Sequence, residues 1–70
     1  MSYQSGDSVE WEWGQGTAKG EVRKTHASSV TRTLKGTEVT RHGSKDDPAL
    51  EIEQSDGSAV LKLASEVRRA

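Results

Sequence analysis

His26 and His42 are the only imidazoles in a chain of 70 residues that contains no cysteine, so any metal centre would have to be completed by carboxylates. A bound transition metal needs several convergent ligands. Neither histidine belongs to a recognisable ligand motif, and both read as solvated loop or strand-end residues. Asp46-Asp47-Pro48 has the residue types of a hard-cation loop, and Glu51 with Glu53 those of a carboxylate pair. Hydrolysis by two carboxyls requires that they flank a cleft and that one be desolvated enough to raise its pKa. Glu51 and Glu53 instead take the polar side of an alternating segment. Asp47 is better suited to accept backbone hydrogen bonds in the turn before Pro48. The run Gly14-Gln15-Gly16-Thr17-Ala18-Lys19-Gly20 looks briefly like a phosphate loop, but Lys19 stands where the dinucleotide fingerprint needs its third glycine, and no helix follows. No serine sits in a Gly-x-Ser-x-Gly elbow. The expectation is a non-catalytic protein with no metal and no cofactor.

The elements that would position these side chains are strands. Val9, Trp11 and Trp13 share one parity while Glu10 and Glu12 take the other, which sends them to opposite faces of a strand. Gly14-Gln15-Gly16 supplies a turn, and Thr17 to His26 alternates again, with Glu10 and Glu12 expected to face Lys19 and Arg23 across the hairpin. Gly20 inside that strand indicates a bulge, a bend or a close backbone approach. Further strands are expected from Ser28 to Leu34, from Glu38 to His42 after the Lys35-Gly36-Thr37 turn, from Ala49 to Gln54, and from Ala59 to Leu63. Gly43 to Pro48 reads as a polar loop, with Pro48 biasing Asp47 away from helix. Asp56-Gly57 suits a type I′ hairpin, and Ser65-Glu66-Val67 a single terminal helical turn. Short strands joined by Gly- and Asp-rich turns predict an all-β fold, a small barrel of about five strands whose closure protects its edges. Its expected core is Val9, Trp11, Ala18, Val22, Val30 or Val39, Leu50, Ile52, Leu61 and Leu63, plugged by Val67. So small a barrel fills its interior with side chains and leaves no room for a large catalytic cavity.

Composition sets further bounds. One domain at most fits into 7.6 kDa. Ten basic against eleven acidic residues leave a net charge of -1, unlike a dedicated nucleic-acid or membrane-surface binder. No apolar run approaches bilayer length, and Met1 to Ser5 has no secretory pattern. A cytoplasmic monomer is expected.

Gly6-Asp7-x-Val9-x-Trp11, Gly16-x-x-x-Gly20-x-Val22, Gly36-x-x-Val39, Asp46-Asp47-Pro48 and the Asp56-Gly57 turn with its closing strand occur in an order that resembles the hypervirulence-associated Tudor-like family of small bacterial and fungal domains. The resemblance runs from Gly6 to Val67. It implies an SH3-like or Tudor-like barrel over residues 6–67, with a flexible N-terminus over residues 1–5 and a tail over 68–70. Gly6, Asp7, Gly20, Gly36, Asp47, Pro48 and Gly57 then serve as structural turn residues. Leu50 and Leu61 stand where that family often has Tyr and His, which either removes polar aromatic groups from a groove or converts boundary positions into core.

A Tudor-like barrel also implies recognition of a protein or peptide. A methylated side chain would need several aromatic faces around the cation, and only Tyr3, Trp11 and Trp13 are available. These three are the candidate partner-binding residues, with Trp11 expected in the barrel and Trp13 at its rim. A sheet edge in the irregular middle segment is a second candidate surface. The alternative function is weak, sequence-independent nucleic-acid association. Arg23, Lys24, Arg32, Lys35, Arg41 and Lys45 bunch in the middle third, and a shared face would make salt-sensitive phosphate contacts.

Overall fold

The computed structural model describes residues 3–70. Strict alternation makes β1 (Ser8–Trp13), which pairs antiparallel with the long β2 (Gly16–His26), Val9 opposite Gly20 and Trp11 opposite Ala18. The β3 (Ser29–Leu34) and β4 (Thr37–His42) strands form a separate hairpin, and β5 (Ala49–Glu53) and β6 (Ala59–Leu63) another. A short 3₁₀ turn (Ala64–Glu66) follows, and β7 (Arg68–Arg69) closes the chain. The larger sheet runs β6-β5-β2-β1-β7, with the β3–β4 hairpin as a second sheet beside β6. Residues from both ends of the larger sheet meet in one core cluster, so the sheet curls into a small all-β barrel. No helix among the described residues is long and apolar enough to cross a membrane.

Seven strands form where a barrel of about five was expected: six are the alternating segments named above, and the seventh, β7, comes from a non-local pairing with β1. Arg68 and Arg69, expected as a tail, lie against Glu10 and Val9 of β1. The N-terminal segment, expected to be flexible, is pinned as well; its residues Met1 and Ser2 lie outside the described residues. Tyr3 is only 6 % exposed, Gln4 N–H donates to Asp7 Oδ2 at 2.9 Å, and Gly6 N–H donates to the Val22 carbonyl at 2.8 Å. A chain without phenylalanine draws its only tyrosine into the core, and the Arg69 guanidinium caps the ring 4.9 Å from its centroid.

The core has two layers because both faces of β5 are covered. Residues directly opposite in an antiparallel pair share a face. Leu50 and Ile52, with Val60, join Tyr3, Val9, Trp11, Val22, Ala64 and Val67 in the main cluster. Ala49 and Leu61 face the other way, against Val30, Leu34, Val39 and Leu63 beneath the β3–β4 hairpin. Leu50 and Leu61 are thus core residues, 0 % and 3 % exposed. Ala18 and Leu63, expected in the core, are half-buried at its margin, and Ala49 and Ala64 join it unforeseen.

Gly20 marks a close approach: a Cβ there would collide with Ile52 Cγ2 and come within 2.9 Å of the Glu53 carbonyl oxygen. The bulge lies further along, between Val22 and Lys24. Turn chemistry is also redistributed. Leu34 pairs with Thr37, leaving two loop residues, Lys35 and Gly36, both at positive φ (51° and 78°). That is the type I′ arrangement. At Asp56-Gly57 only the glycine has positive φ, and Gly57 N–H donates to the Gln54 carbonyl at 2.9 Å. The loop is therefore a type I turn with a glycine bulge, in place of the expected type I′ hairpin.

Candidate functional site

Among the described residues Trp13 is the one large hydrophobic side chain left in water, at 72 % exposure. Alternation along β1 puts it on the same face as Val9 and Trp11. Trp11, two residues earlier, is 3 % exposed and fills the barrel, while Trp13 overhangs the rim at the start of the β1–β2 turn. Between that rim and the tip of the β3–β4 hairpin lies a groove of about 450 Å³, within the range of ligand sites. Trp11, Ala18, Val60 and Leu61 form its apolar floor, and Trp13, Leu34 and Val39 flank it. Lys35, Arg41 and Lys62 supply its positive charge, and Asp56 its one carboxylate. Two elements hold this outline. Arg41 Nε is 3.3 Å from Glu66 Oε1, and that same oxygen accepts the Leu63 N–H at 2.8 Å, tying β4 to the end of β6. Asp56 Oδ1 accepts from Ser58 N–H at 2.9 Å and from Ser58 Oγ at 2.6 Å, bonds that hold its pKa below the ordinary value.

Of the aromatic candidates, Trp13 alone presents a free face; Tyr3 and Trp11 are spent on the core. An aromatic cage for a methylated cation, which needs several such faces, is therefore not assembled by these three rings.

Three of the basic residues of the middle segment, Arg23, Arg32 and Arg41, are each paired with a carboxylate. Arg23 bonds Glu53 and also lies 3.1 Å from Glu21, bridging two carboxylates that stand opposite each other in register. Arg32 Nη2 donates to Glu51 Oε2 at 3.0 Å, and His26 Nε2 donates to the same oxygen at 2.5 Å. Burial alone would push the Glu51 carboxyl up, but the His26 and Arg32 hydrogen bonds and charges outweigh it and hold the pKa below its ordinary value. This triad fastens β3 to β2 and β5. Glu10 and Glu12, expected to face Lys19 and Arg23, instead pair with Arg68 of β7, at 2.8 and 3.6 Å. Lys19 does stand opposite Glu10, but the guanidinium reaches both carboxylates.

His26 and His42 lie apart in role, His42 pairing its Nδ1 with Ser29 Oγ at 2.9 Å. No group of three or more His, Cys, Asp or Glu is placed to hold a metal among the described residues. The Asp47 carbonyl accepts the Ser44 N–H within its own turn at 3.0 Å, and its carboxylate accepts from Ser65, whose N–H and Oγ lie 2.8 and 2.7 Å from its two oxygens. It anchors the 3₁₀ turn to the loop before β5. The groove residues that sequence reasoning missed include Leu34, Val39, Asp56, Val60, Leu61 and Lys62. Lys62 carried a signal, as a lone charge inside the apolar run Ala59–Leu63.

A curled antiparallel sheet around a buried apolar core, with a shallow groove beside an exposed tryptophan, makes a small β-barrel. Residues 6–67 match the family model described as the hypervirulence associated proteins TUDOR domain, and the chain belongs to that family. No curated protein and no solved structure gives a significant match. Tudor domains are small, typically non-catalytic modules that bind proteins or peptides.

Proposed function

We propose that this domain binds an extended peptide segment of a protein partner in the groove between Trp13 and the β3–β4 hairpin. The observation that carries the reading is Trp13, 72 % exposed at the rim of an apolar floor. Tryptophan dominates binding energetics where it can bury a large area against a partner pocket. In a domain that recruits its tyrosine and its other tryptophan into the core, a third ring held in water is unused packing material. Lys24 and Lys45 are exposed, but Arg23, Arg32 and Arg41 each face a carboxylate, which favours the peptide reading over phosphate contacts.

The test is selection of short peptides from a display library on the wild-type domain, followed by affinity measurement on Trp13→Ala. Recovered peptides should bind the variant at least about tenfold more weakly while its melting temperature stays unchanged. Equal binding to the two proteins, or a library that yields no binder, refutes the reading. An amide titration with short random DNA at low salt supplies the comparison. Shifts clustered on residues 23–45 that fade with salt would favour nucleic acid instead.

A further inference from the structure

The groove carries an excess of positive charge in a protein whose overall charge is almost balanced. Lys35, Arg41 and Lys62 line it against Asp56 alone. Two of these cations have local compensation: Arg41 pairs with Glu66, and Lys35 lies close enough to Asp56 to help hold its pKa down. Lys62 differs. It is half-buried, and among the described residues it takes part in no ion pair. An ammonium partly withdrawn from water without a counter-charge is under-compensated, and a carboxylate brought by a ligand would complete it with a charge-assisted hydrogen bond.

We infer that the groove selects acidic segments: a bulky apolar side chain against Trp13 and Leu34, and an aspartate or glutamate of the same extended peptide at Lys62. This rests on the peptide reading above and specifies its ligand chemistry. Extended chain suits both contacts, because side chains two apart point the same way and neighbouring ones can remain in solvent.

The probes are short capped peptides with the core Glu-Leu-Glu-Leu-Glu in a serine–glycine frame, and matched peptides carrying Gln or Lys at every Glu. Binding is followed by amide shifts at residues 13, 34, 39 and 60–62. The Glu peptide should bind the wild type at least about fivefold more tightly than the Gln peptide at low salt, and the gap should close at high salt. Lys62→Gln should abolish the preference, Lys62→Arg should keep it, and Trp13→Ala should weaken all peptides alike. Equal affinity for Glu and Gln peptides, or a preference that survives Lys62→Gln, overturns the assignment of Lys62 while the groove still binds peptide. If no peptide of any charge moves those amides, the peptide reading fails and this inference with it. Shifts of the same amides on concentrating the free protein would assign the groove to a second copy of the chain, which also overturns it.

Discussion

Replacing Gly20 by alanine adds one methyl group where the barrel has no space for it. The new Cβ would overlap Ile52 Cγ2 and sit 2.9 Å from the Glu53 carbonyl oxygen, whereas carbon and its neighbours pack at about 3.5–4 Å. Ile52 is 1 % exposed and has no room to retreat, and the carbonyl belongs to β5, paired on both sides. Overpacking of this kind costs about 1–3 kcal/mol. Alanine also restricts the unfolded chain, which returns about 0.4–1 kcal/mol. The net loss is on the order of 1–2 kcal/mol, or roughly 5–15 °C in melting temperature for a domain this size. That is a large share of the few kcal/mol such a small core supplies. Urea and thermal unfolding, followed by circular dichroism, measure it directly. The collision has a second signature. Ile52→Leu removes the branch at Cβ, so it should cost less in the Gly20→Ala background than in the wild type, and the two changes should be sub-additive. A Gly20→Ala domain as stable as wild type, or a strictly additive pair, would refute the reasoning that the two strands meet too closely for a side chain.

Tyr3→Ala should leave most of the chain unfolded at room temperature, since truncating a buried aromatic costs about 3–5 kcal/mol; far-ultraviolet dichroism would show it, and a folded variant would mean the segment is as loose as first expected. Because Glu51 has a folded-state pKa below its ordinary value of 4.5, its contribution is complete above that pH and drains away as pH falls through the folded value. Glu51→Gln should accordingly flatten the acid limb of a stability–pH curve and leave its shape near neutrality unaltered. Asp47→Ala, which frees Ser65 N–H and Oγ, should lower stability by about 1 kcal/mol, and Asp47→Asn should recover part of it in the same melts. Trp13→Phe should remove most of the acrylamide-quenchable tryptophan emission while Trp11, buried, stays shielded.

Local signals in the chain were decisive wherever the partner is close in sequence. The parity of Val9, Trp11 and Trp13, the turns at Gly14 and Lys35-Gly36, and the strand Ala59–Leu63 all express backbone periodicity and turn chemistry, which a few residues specify. What escaped was decided by distant partners. Glu53 lies 30 positions from Arg23, and Glu51 lies 19 from Arg32, so a cluster of arginines that reads as a basic patch is largely neutralised once folded. Tyr3 and Arg69 meet from opposite ends of the chain. The Asp56-Gly57 loop departs from the expected type I′ turn because register, not the Asp-Gly pair itself, sets the number of loop residues. The candidate site divides the same way: Trp13 at the rim follows from β1 alone, while Leu34, Val39 and Lys62 join it only through the packing of β4 beside β6.

The pairing of β7 with the start of β1 has a mechanical consequence. Val9 stands opposite Arg69 and Glu10 opposite Arg68, and Ala70 N–H donates to the Ser8 carbonyl at 3.1 Å. The strands are antiparallel, so the start of β1 and the end of β7 lie side by side. Tension applied between them would load these bonds one after another, as a zipper, instead of shearing them together. Arg68 and Arg69, with their ion pairs to Glu10, Glu12 and Asp7, are the clasp of that zipper. Once they part, Val67 is the next residue exposed to the pull, and with it the plug of the core.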